Sequence, residues 1–229
     1  MNQIVLTLII PAYNEKKSIA KIIEEVKKKV KYQKQIIVID DFSNDGTTDI
    51  IKNLKGIDKS IFHQKNLGKG AAIKSAIPFI KGDLVAIQDA DLEYDPEDIN
   101  KLLKIALDED KEFVIGYRQM KTSINHLYFY FRELAVNALT FTLNLLYNVK
   151  IRDCACCYRL FDTKLWQNIY GRADKFEYDF SIICQAVKKT KKIGQCKVYY
   201  NSRSYEDGKK CTWDVGIHAF KRIILDRFN

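Results

Sequence analysis

Proline is scarce in this sequence, with only three in 229 residues, and there is no low-complexity tract and no convincing repeat. Together with a hydrophobic content of 47%, this scarcity argues against extensive disorder. The N-terminal segment also lacks the basic start and the cleavage site of a signal peptide, and its apolar run stops at Pro11, so we interpret it as a core strand. The length fits one large domain with a substantial core, or two small domains.

The cysteines lack the spacing of a zinc site. Of the six, Cys154, Cys156 and Cys157 are crowded into a C-x-C-C segment with no histidine nearby, and the other three are scattered along the second half. We therefore expect reduced thiols, as in a cytosolic protein.

Acidic residues are outnumbered by basic ones, which gives a formal net charge of +9. The excess is largely lysine and suits an anionic partner, such as nucleic acid, a phosphorylated small molecule or an anionic membrane face. The sequence contains no aromatic and basic nucleic-acid module, so nucleic acid is not the expected partner.

The first half of the chain alternates between short apolar β-type runs and segments of helical periodicity. Strands are predicted at residues 4–15, 35–41, 60–66, 83–89 and 112–118, and helices at residues 16–30, 44–54, 67–80 and 95–107. This alternation predicts an α/β fold with a mostly parallel, doubly wound sheet. Ligands of such sheets bind beyond the carboxyl ends of the strands.

Polar side chains gather at the predicted carboxyl ends of four strands, where core packing does not require them. They are Asn14, Glu15, Asp40, Asp41, Asn66, Lys69, Asp89 and Asp91. Asp40 and Asp41 offer acceptors to a nucleobase or ribose, and Lys69 stands between two glycines at a helix start, which suits a phosphate. We expect these residues to converge on one site.

The segment DADLE holds two aspartates, Asp89 and Asp91, in a small volume at the end of a strand. Their mutual repulsion would raise a pKa or demand a cation. Mg²⁺ or Mn²⁺ would satisfy both carboxylates and would also bind a diphosphate leaving group. Glu93 is grouped with them, whereas the later acids of the segment fall at a helix start, where they favourably meet the helix dipole.

Two apolar segments dominate the second half. Residues 125–149 are aromatic and apolar, and they favour one or two helices that are half buried in protein and half at a membrane surface. An ordinary buried core helix is the alternative. Residues 211–229 predict an amphipathic helix, whose basic and aromatic side chains suit either a membrane interface or the core.

The motifs resemble those of a known family. The segments IIPAYNE, VIDDFSNDGT, NLGKGAAI and QDADLEYDPED are similar to the blocks of family 2 glycosyltransferases with the GT-A fold. The segments GYRQ, RDCACCYRLF, KFEYDFSII and YYNSRSYEDGKKCTW resemble the polyprenyl-phosphate sugar transferases, the dolichyl-phosphate mannose synthase group. The eight blocks keep the family order and cover nearly the whole chain.

The resemblance implies one GT-A domain, Rossmann-like, with a mostly parallel sheet flanked by helices and amphipathic interfacial helices. Residues 1–118 would form the nucleotide-sugar half, and residues 119–229 the acceptor and membrane-surface half. The implied cofactor is Mg²⁺ or Mn²⁺, held by Asp89, Asp91 and Glu93. The implied donor-binding residues are Pro11, Ala12, Tyr13, Glu15, Asp40, Asp41, Lys69, Asp89 and Ala90. The acceptor residues would be Arg118, Arg132, Arg203, Lys209 and Lys210, with Asp91 and Asp153 in catalytic or positioning roles.

The implied reaction is an inverting transfer from GDP-mannose, UDP-glucose or UDP-N-acetylglucosamine to a dolichyl or undecaprenyl phosphate. A phosphate acceptor is already ionised near neutral pH and needs no strong base. A saccharide hydroxyl acceptor is the alternative, and it would need Asp153, Glu177 or Asp179 as a base. A non-enzymatic nucleotide-binding protein is a further alternative, which the intact D-x-D segment and the basic acceptor block disfavour.

This sequence departs from the family at Phe42, where glycine is common, and at Cys156, where threonine is frequent. Many relatives continue into transmembrane helices after the tail, whereas this chain stops at Asn229. We therefore expect either peripheral docking at the cytoplasmic membrane face or a separate membrane-anchor subunit.

Overall fold

The computed structural model describes residues 5–120, 126–169, 171–203 and 213–229. The strands are β1 (Leu6–Ala12), β2 (Lys34–Asp40), β3 (Lys59–Phe62), β4 (Leu84–Ile87), β5 (Phe113–Met120), β6 (Arg159–Asp162) and β7 (Ile193–Tyr200). The helices are α1 (Ile19–Lys29), α2 (Thr47–Asn53), α3 (Lys69–Ala76), α4 (Asp98–Asp108), α5 (His126–Tyr147), α6 (Thr163–Gln167), α7 (Tyr178–Lys189) and α8 (Trp213–Phe228).

All seven strands form one sheet in the order β3-β2-β1-β4-β6-β5-β7. Its pairs are parallel except those of β6, which runs antiparallel between β4 and β5. Ile9 of β1 pairs with Ile37 of β2 on one side and with Ile87 of β4 on the other. The strands predicted in the first half are confirmed, and their continuous apolar runs reflect a sheet that is covered on both faces.

The helices pack their apolar stripes on the sheet. In α1, Ile19, Ile22, Ile23 and Val26 are buried, at the spacing of one helical face. A glycine is required before α3 because Gly68 has φ 98° and a Cβ there would lie 2.5 Å from the backbone oxygen of Asp174.

The turns after the first two strands adopt left-handed backbone conformations. Asn14 follows β1 with φ 51°, and Phe42 follows β2 with φ 67°. The family resemblance suggests a glycine at position 42. The positive φ gives a physical reason for it, because a side chain with a Cβ is strained there. Asn14 joins the two turns: its backbone N–H donates to Ser43 Oγ at 2.8 Å, and its Oδ1 accepts from the Asn44 N–H at 2.9 Å.

The segment predicted as one or two helices at residues 125–149 is the single helix α5. Its inner face is buried at Leu139, Leu143 and Tyr147, whereas Phe141 and Leu145 are about 70% exposed, at 68% and 70%. Helix α5 is therefore half buried, and the alternative prediction of an ordinary buried core helix is wrong. Among the described residues, no helix combines the length and the apolar character needed to cross a membrane.

Candidate functional site

A cavity of about 440 Å³ opens at the carboxyl ends of β1, β2 and β4. It brings together most of the polar residues that the sequence places at strand ends. Those lining it are Glu15, Asp41, Asn66, Lys69, Asp89, Asp91 and Glu93. Pro11, Ala12, Tyr13 and Ala90 also line it, as do Arg118 and Arg203 from the other half of the chain.

The charged side chains at this cavity form two ionic clusters. The inner cluster is a chain of four groups, Arg159, Asp179, Lys69 and Asp89, that begins below the cavity floor. Arg159 Nη1 donates to Asp179 Oδ1 at 2.9 Å, Lys69 Nζ donates to Asp179 Oδ2 at 3.0 Å, and the same Nζ lies 2.7 Å from Asp89 Oδ1. Arg159 is fully buried, and the other three side chains are at most 15% exposed.

The charges of the inner cluster hold one another in the ionised state. Burial disfavours the cation of Lys69, but Asp179 and Asp89 raise its pKa well above the usual value. Burial also disfavours the anion of Asp179, but Lys69 and Arg159 lower its pKa. Asp179 was one of the candidate bases for a hydroxyl acceptor, and a carboxylate bound by two cations with a lowered pKa is a poor base.

The outer cluster consists of Glu15, Asp91, Glu93 and Arg203. Arg203 Nη1 and Nη2 donate to Glu15 Oε2 and Oε1, each at 3.1 Å, and Nη2 lies 3.4 Å from Asp91 Oδ2. The Arg203 backbone N–H donates to Glu93 Oε1 at 2.8 Å, and the Tyr200 hydroxyl donates to Glu93 Oε2 at 2.8 Å. An arginine from the predicted acceptor half therefore bridges acids of the predicted donor half.

The surroundings of Asp91 destabilise the ionised form of its carboxylate. Burial, together with the charges of Asp89 and Glu93, raises its pKa from 3.8 to about 7, and Arg203 only partly offsets this. A divalent cation would relieve the repulsion and return Asp91 to the ionised state.

The donor set at this position fits Mg²⁺ or Mn²⁺. The described residues contain no group of three or more histidine, cysteine, aspartate or glutamate side chains arranged to hold a metal ion. Mg²⁺ sites commonly use one or two carboxylates and complete the shell with water and substrate phosphates. Asp89 and Asp91 supply two such carboxylates beside an open cavity, whereas both Glu93 oxygens are engaged by residues 200 and 203.

The two aspartates at the end of β2 have different surroundings. Asp41 lines the cavity, and its carboxylate accepts from the backbone N–H groups of Leu67 and Gly68 at 2.9 and 2.8 Å and lies 2.7 Å from His63 Nδ1. Asp40 is absent from the described cavity lining, and it binds the Thr48 hydroxyl and the Ser43 N–H below the turn. The structure thus brings Asp41 to the site and leaves Asp40 as a support of the neighbouring turn.

Arg118, one of the predicted acceptor residues, forms a bidentate pair with Asp153. Its Nε and Nη2 donate to Asp153 Oδ2 and Oδ1 at 2.7 and 2.9 Å, and its guanidinium lies 5.2 Å from the centre of the Tyr200 ring. Asp153 is not among the residues lining the described cavity, so its contact with the site runs through Arg118. Lys209, Lys210 and the side chain of Arg132 lie outside the described residues.

Helices α5 and α8 pack against each other and form the apolar wall of the cavity. Ala135, Val136 and Leu139 line it from α5, and Val215 and Gly216 line it from α8. Beyond the cavity, the two helices expose further large apolar side chains, namely Leu134, Phe141, Leu145, Ile217, Phe220, Leu225 and Phe228. Large apolar side chains that stay exposed on two packed helices indicate an interaction surface.

The inner cluster shows what sequence reasoning missed. Arg159 was not singled out, because a charged residue inside a short apolar run gives no sign that it is fully buried. Its partner Asp179 lies 20 residues away, and Lys69 lies 110 residues from Asp179. The available signal was the strand-like segment YRLFD, in which a buried arginine demands a buried acid.

The family comparison agrees with the motifs. The model of glycosyl transferase family 2 matches residues 7–169. An uncharacterized protein of Methanocaldococcus jannaschii is 30% identical in an alignment 237 positions long. The alignment covers 95% of this chain and 99% of that protein.

Two relatives carry descriptive names. Dodecaprenyl-phosphate galacturonate synthase of Rhizobium johnstonii is 22% identical over 96% of this chain, and undecaprenyl-phosphate 4-deoxy-4-formamido-L-arabinose transferase of Aeromonas hydrophila is 29% identical over 68%. The chain spans 64% and 48% of the lengths of these two proteins.

Among solved structures, glucosyl-3-phosphoglycerate synthase from Mycobacterium tuberculosis, in complex with Mn²⁺, UDP and glucosyl-3-phosphoglycerate, matches with a TM-score of 0.71. The match covers 97% of this chain and 80% of that one at 14% identity, so it shows the fold alone. The GT-A fold expected from the sequence is confirmed.

Proposed function

Because the chain belongs to glycosyl transferase family 2, we propose that this glycosyltransferase moves a sugar, with inversion, from a nucleotide-sugar donor to a polyprenyl phosphate at a membrane surface. Two relatives support this acceptor class by their names, a dodecaprenyl-phosphate galacturonate synthase and an undecaprenyl-phosphate 4-deoxy-4-formamido-L-arabinose transferase.

One observation carries the choice of acceptor. Every acid that lines the described part of the cavity already contacts a cation or a hydrogen-bond donor. The six are Glu15, Asp41, Asp89, Asp91, Glu93 and Asp179. Asp91, whose pKa is raised to about 7, would be occupied by the cation and so would not serve as the base. A saccharide hydroxyl must lose a proton to an available base, whereas a phosphate monoester arrives ionised. Asp153 is held by Arg118, and Glu177 does not line the described cavity, so neither supplies that base.

On the donor side, the ends of β1 and β2 would receive the nucleotide. Pro11, Ala12 and Tyr13 form the wall there, and Asp41 fixes the turn that carries Leu67 and Gly68. Asp89 and Asp91 would hold a divalent cation, which when bound supplies charge neutralisation for the nucleoside diphosphate leaving group. Lys69 orients Asp89 from below.

On the acceptor side, Arg118 and Arg203 supply the cations that a phosphate needs, and guanidinium groups bind phosphate in bidentate geometry. Asp153 orients Arg118. The wall between α5 and α8 offers an apolar path for the prenyl chain from this pair of arginines to the surface. The enzyme thereby positions two anions and neutralises their charge, which is the main requirement of the reaction.

The apolar surface of α5 and α8 would rest on the membrane, with the basic residues of α8 near the lipid headgroups. In a vesicle co-sedimentation assay, we expect the protein to bind vesicles that contain anionic lipid. Phe141→Ser should weaken this binding about fivefold, because one buried aromatic side chain is lost from the interface. The same change at an exposed phenylalanine outside α5 and α8, Phe79→Ser, should have no effect. Equal binding by all three proteins would contradict the membrane face.

The test of the reaction is a transfer assay. Purified protein is incubated with Mg²⁺ or Mn²⁺, a short-chain polyprenyl phosphate and radiolabelled GDP-mannose, UDP-glucose or UDP-N-acetylglucosamine, and the lipid is extracted into organic solvent. Label in the organic phase with one donor would establish the reaction, the sugar and the acceptor class together. Nucleotide release that requires a saccharide acceptor, without lipid label, would contradict the proposal and favour a hydroxyl acceptor.

A further inference from the structure

The outer cluster joins parts of the site that the two substrates would use separately. Arg203 belongs to the acceptor side, yet its guanidinium is bound to Glu15 at the end of β1 and lies beside Asp91. The guanidinium therefore occupies the donor part of the cavity in this structure. An arginine in that position neutralises acids but is turned away from an acceptor phosphate.

The backbone that carries Arg203 is fastened to the D-x-D loop as well. Glu93 accepts the Arg203 N–H and the Tyr200 hydroxyl, each at 2.8 Å, and its backbone oxygen accepts the Asn201 N–H at 2.8 Å. Tyr94 and Tyr200 form an isolated antiparallel β-bridge and pack ring to ring with centroids 5.0 Å apart. These bonds hold the backbone at residues 200–203, so release of the guanidinium requires a change in the arginine side chain alone.

Glu15 is itself held in place for this contact. Its Oε2 accepts the Ser18 hydroxyl at 2.7 Å, and its backbone N–H donates to Thr47 Oγ1 at 2.9 Å. The side chain is only 8% exposed, and that of Arg203 is 21% exposed. A pair with ordered partners and little exposure is stronger than a surface ion pair.

We propose that Glu15 and Glu93 are positioning residues that hold Arg203 as a latch over the donor site, and that binding of a nucleoside diphosphate with its cation releases the guanidinium toward the acceptor phosphate. Asp91 loses its attraction for Arg203 once its carboxylate binds a cation. A cation held by Asp89 and Asp91 would also repel the guanidinium, which weakens its contact with Glu15. The acceptor site thus becomes complete only after the donor has bound. This inference rests on the proposed function for the identity of the acceptor.

The latch is tested by the reactivity of Arg203 in the nucleotide-free protein, measured as phenylglyoxal labelling by peptide mass spectrometry. Glu15→Gln should raise the labelling rate about fivefold, because a neutral amide holds the guanidinium less strongly than a carboxylate does. Ser18→Ala keeps both charges and removes only the hydroxyl that holds Glu15, so it should raise labelling by about twofold. Glu97→Gln, at a side chain that is 54% exposed, makes the same change in net charge and should leave labelling unchanged.

A second measurement uses citronellyl phosphate as the acceptor probe. The wild-type protein should bind it about fivefold more tightly when UDP or GDP with Mg²⁺ is bound, and Glu15→Gln should bind it equally tightly without nucleotide. Equal Arg203 labelling in the wild type and Glu15→Gln would overturn the latch, even if the lipid transfer assay succeeds. Raised labelling without citronellyl phosphate binding in any state would uphold the latch and contradict the polyprenyl phosphate acceptor.

Discussion

The inner and outer clusters lie side by side in one cavity but differ in charge balance. In the inner cluster, Arg159 and Lys69 match Asp179 and Asp89 one for one, at distances between 2.7 and 3.0 Å. In the outer cluster, as far as the described residues show, one cation, Arg203, faces three acids, and its contacts are longer, at 3.1 to 3.4 Å with Glu15 and Asp91. The charges of the first arrangement balance, whereas the described residues of the second carry more negative than positive charge.

This difference assigns different work to the two clusters. Breaking a balanced buried pair is costly because it leaves an uncompensated charge. The inner cluster therefore resists rearrangement and holds the floor of the site in place. Burial, followed by the charges of Asp89 and Glu93, raises the pKa of Asp91 to about 7, and a cation bound there would relieve this repulsion. Asp89 belongs to the inner cluster and adjoins Asp91, so the rigid part positions one of the two carboxylates that would meet the metal.

The largest effect is expected at the border of the two clusters. Asp91→Ala should reduce sugar transfer on the order of 1000-fold, because a carboxylate that would hold the cation and diphosphate is lost. The measurement is the transfer assay with Mg²⁺ and with Mn²⁺, and the control is Asp95→Asn, an acid that pairs with Lys29 at the surface. Normal turnover by Asp91→Ala would refute the metal assignment.

Asp179→Asn tests the inner cluster through stability. Lys69 and Arg159 would lose their shared anion, so the free energy of unfolding should fall by about 3 kcal/mol. Urea denaturation measures this loss, and Asp174→Asn, which removes the exposed partner of Lys74, should cost less than about 0.5 kcal/mol. If the two variants unfold at the same urea concentration, the inner cluster is not the rigid floor that its geometry indicates.

The contrast also marks how far the sequence alone reaches. The D-x-D segment and the strand ends were predictable because Asp89, Asp91 and Lys69 follow local patterns of apolar runs, glycines and acids. The pairing of Arg203 with Glu15 was not predictable, since it joins residues 188 positions apart and assigns an acceptor-side arginine to a donor-side acid.

Strand β6 was missed for a related reason. β6 is four residues long and contains the buried Arg159, so it shows neither alternation nor a continuous apolar run. Such a strand is specified by its neighbours β4 and β5 and by Asp179, rather than by its own sequence. Local patterns predict elements that bury their own apolar face, and they fail where a charged pair across the fold determines the structure.

Arg203→Ala separates the two substrates. The acceptor loses a cation that would bind its phosphate, so the KM for polyprenyl phosphate should rise about 30-fold, while nucleotide affinity measured by calorimetry should change much less. This variant should cost less stability than Asp179→Asn, because Asp91, with its pKa raised to about 7, can take up a proton when the arginine is removed. An equal loss of nucleotide affinity would place Arg203 on the donor side.

The smallest effect is a difference in pH dependence between the clusters. Asp91, with its pKa raised to about 7, keeps a proton in the folded protein between about pH 4 and 7 that the unfolded chain has lost, so its contribution makes the metal-free protein less stable as pH rises through this window. Asp179 has a lowered pKa, so the stability it contributes is present above its ordinary value and is lost only in acid.

These opposite signs can be measured by urea denaturation of the metal-free protein at about pH 5 and about pH 8. The wild type should be less stable at the higher pH, and Asp91→Asn should remove this component of the difference. The Mn²⁺ affinity should rise by up to about tenfold per pH unit below about pH 7 and level off above it, because a proton and the cation compete for one carboxylate. A pH profile that Asp91→Asn leaves unchanged would show that the charge deficit of the outer cluster is not concentrated on Asp91. The distinction between a balanced floor and a cluster that awaits a cation would then lose its main electrostatic support.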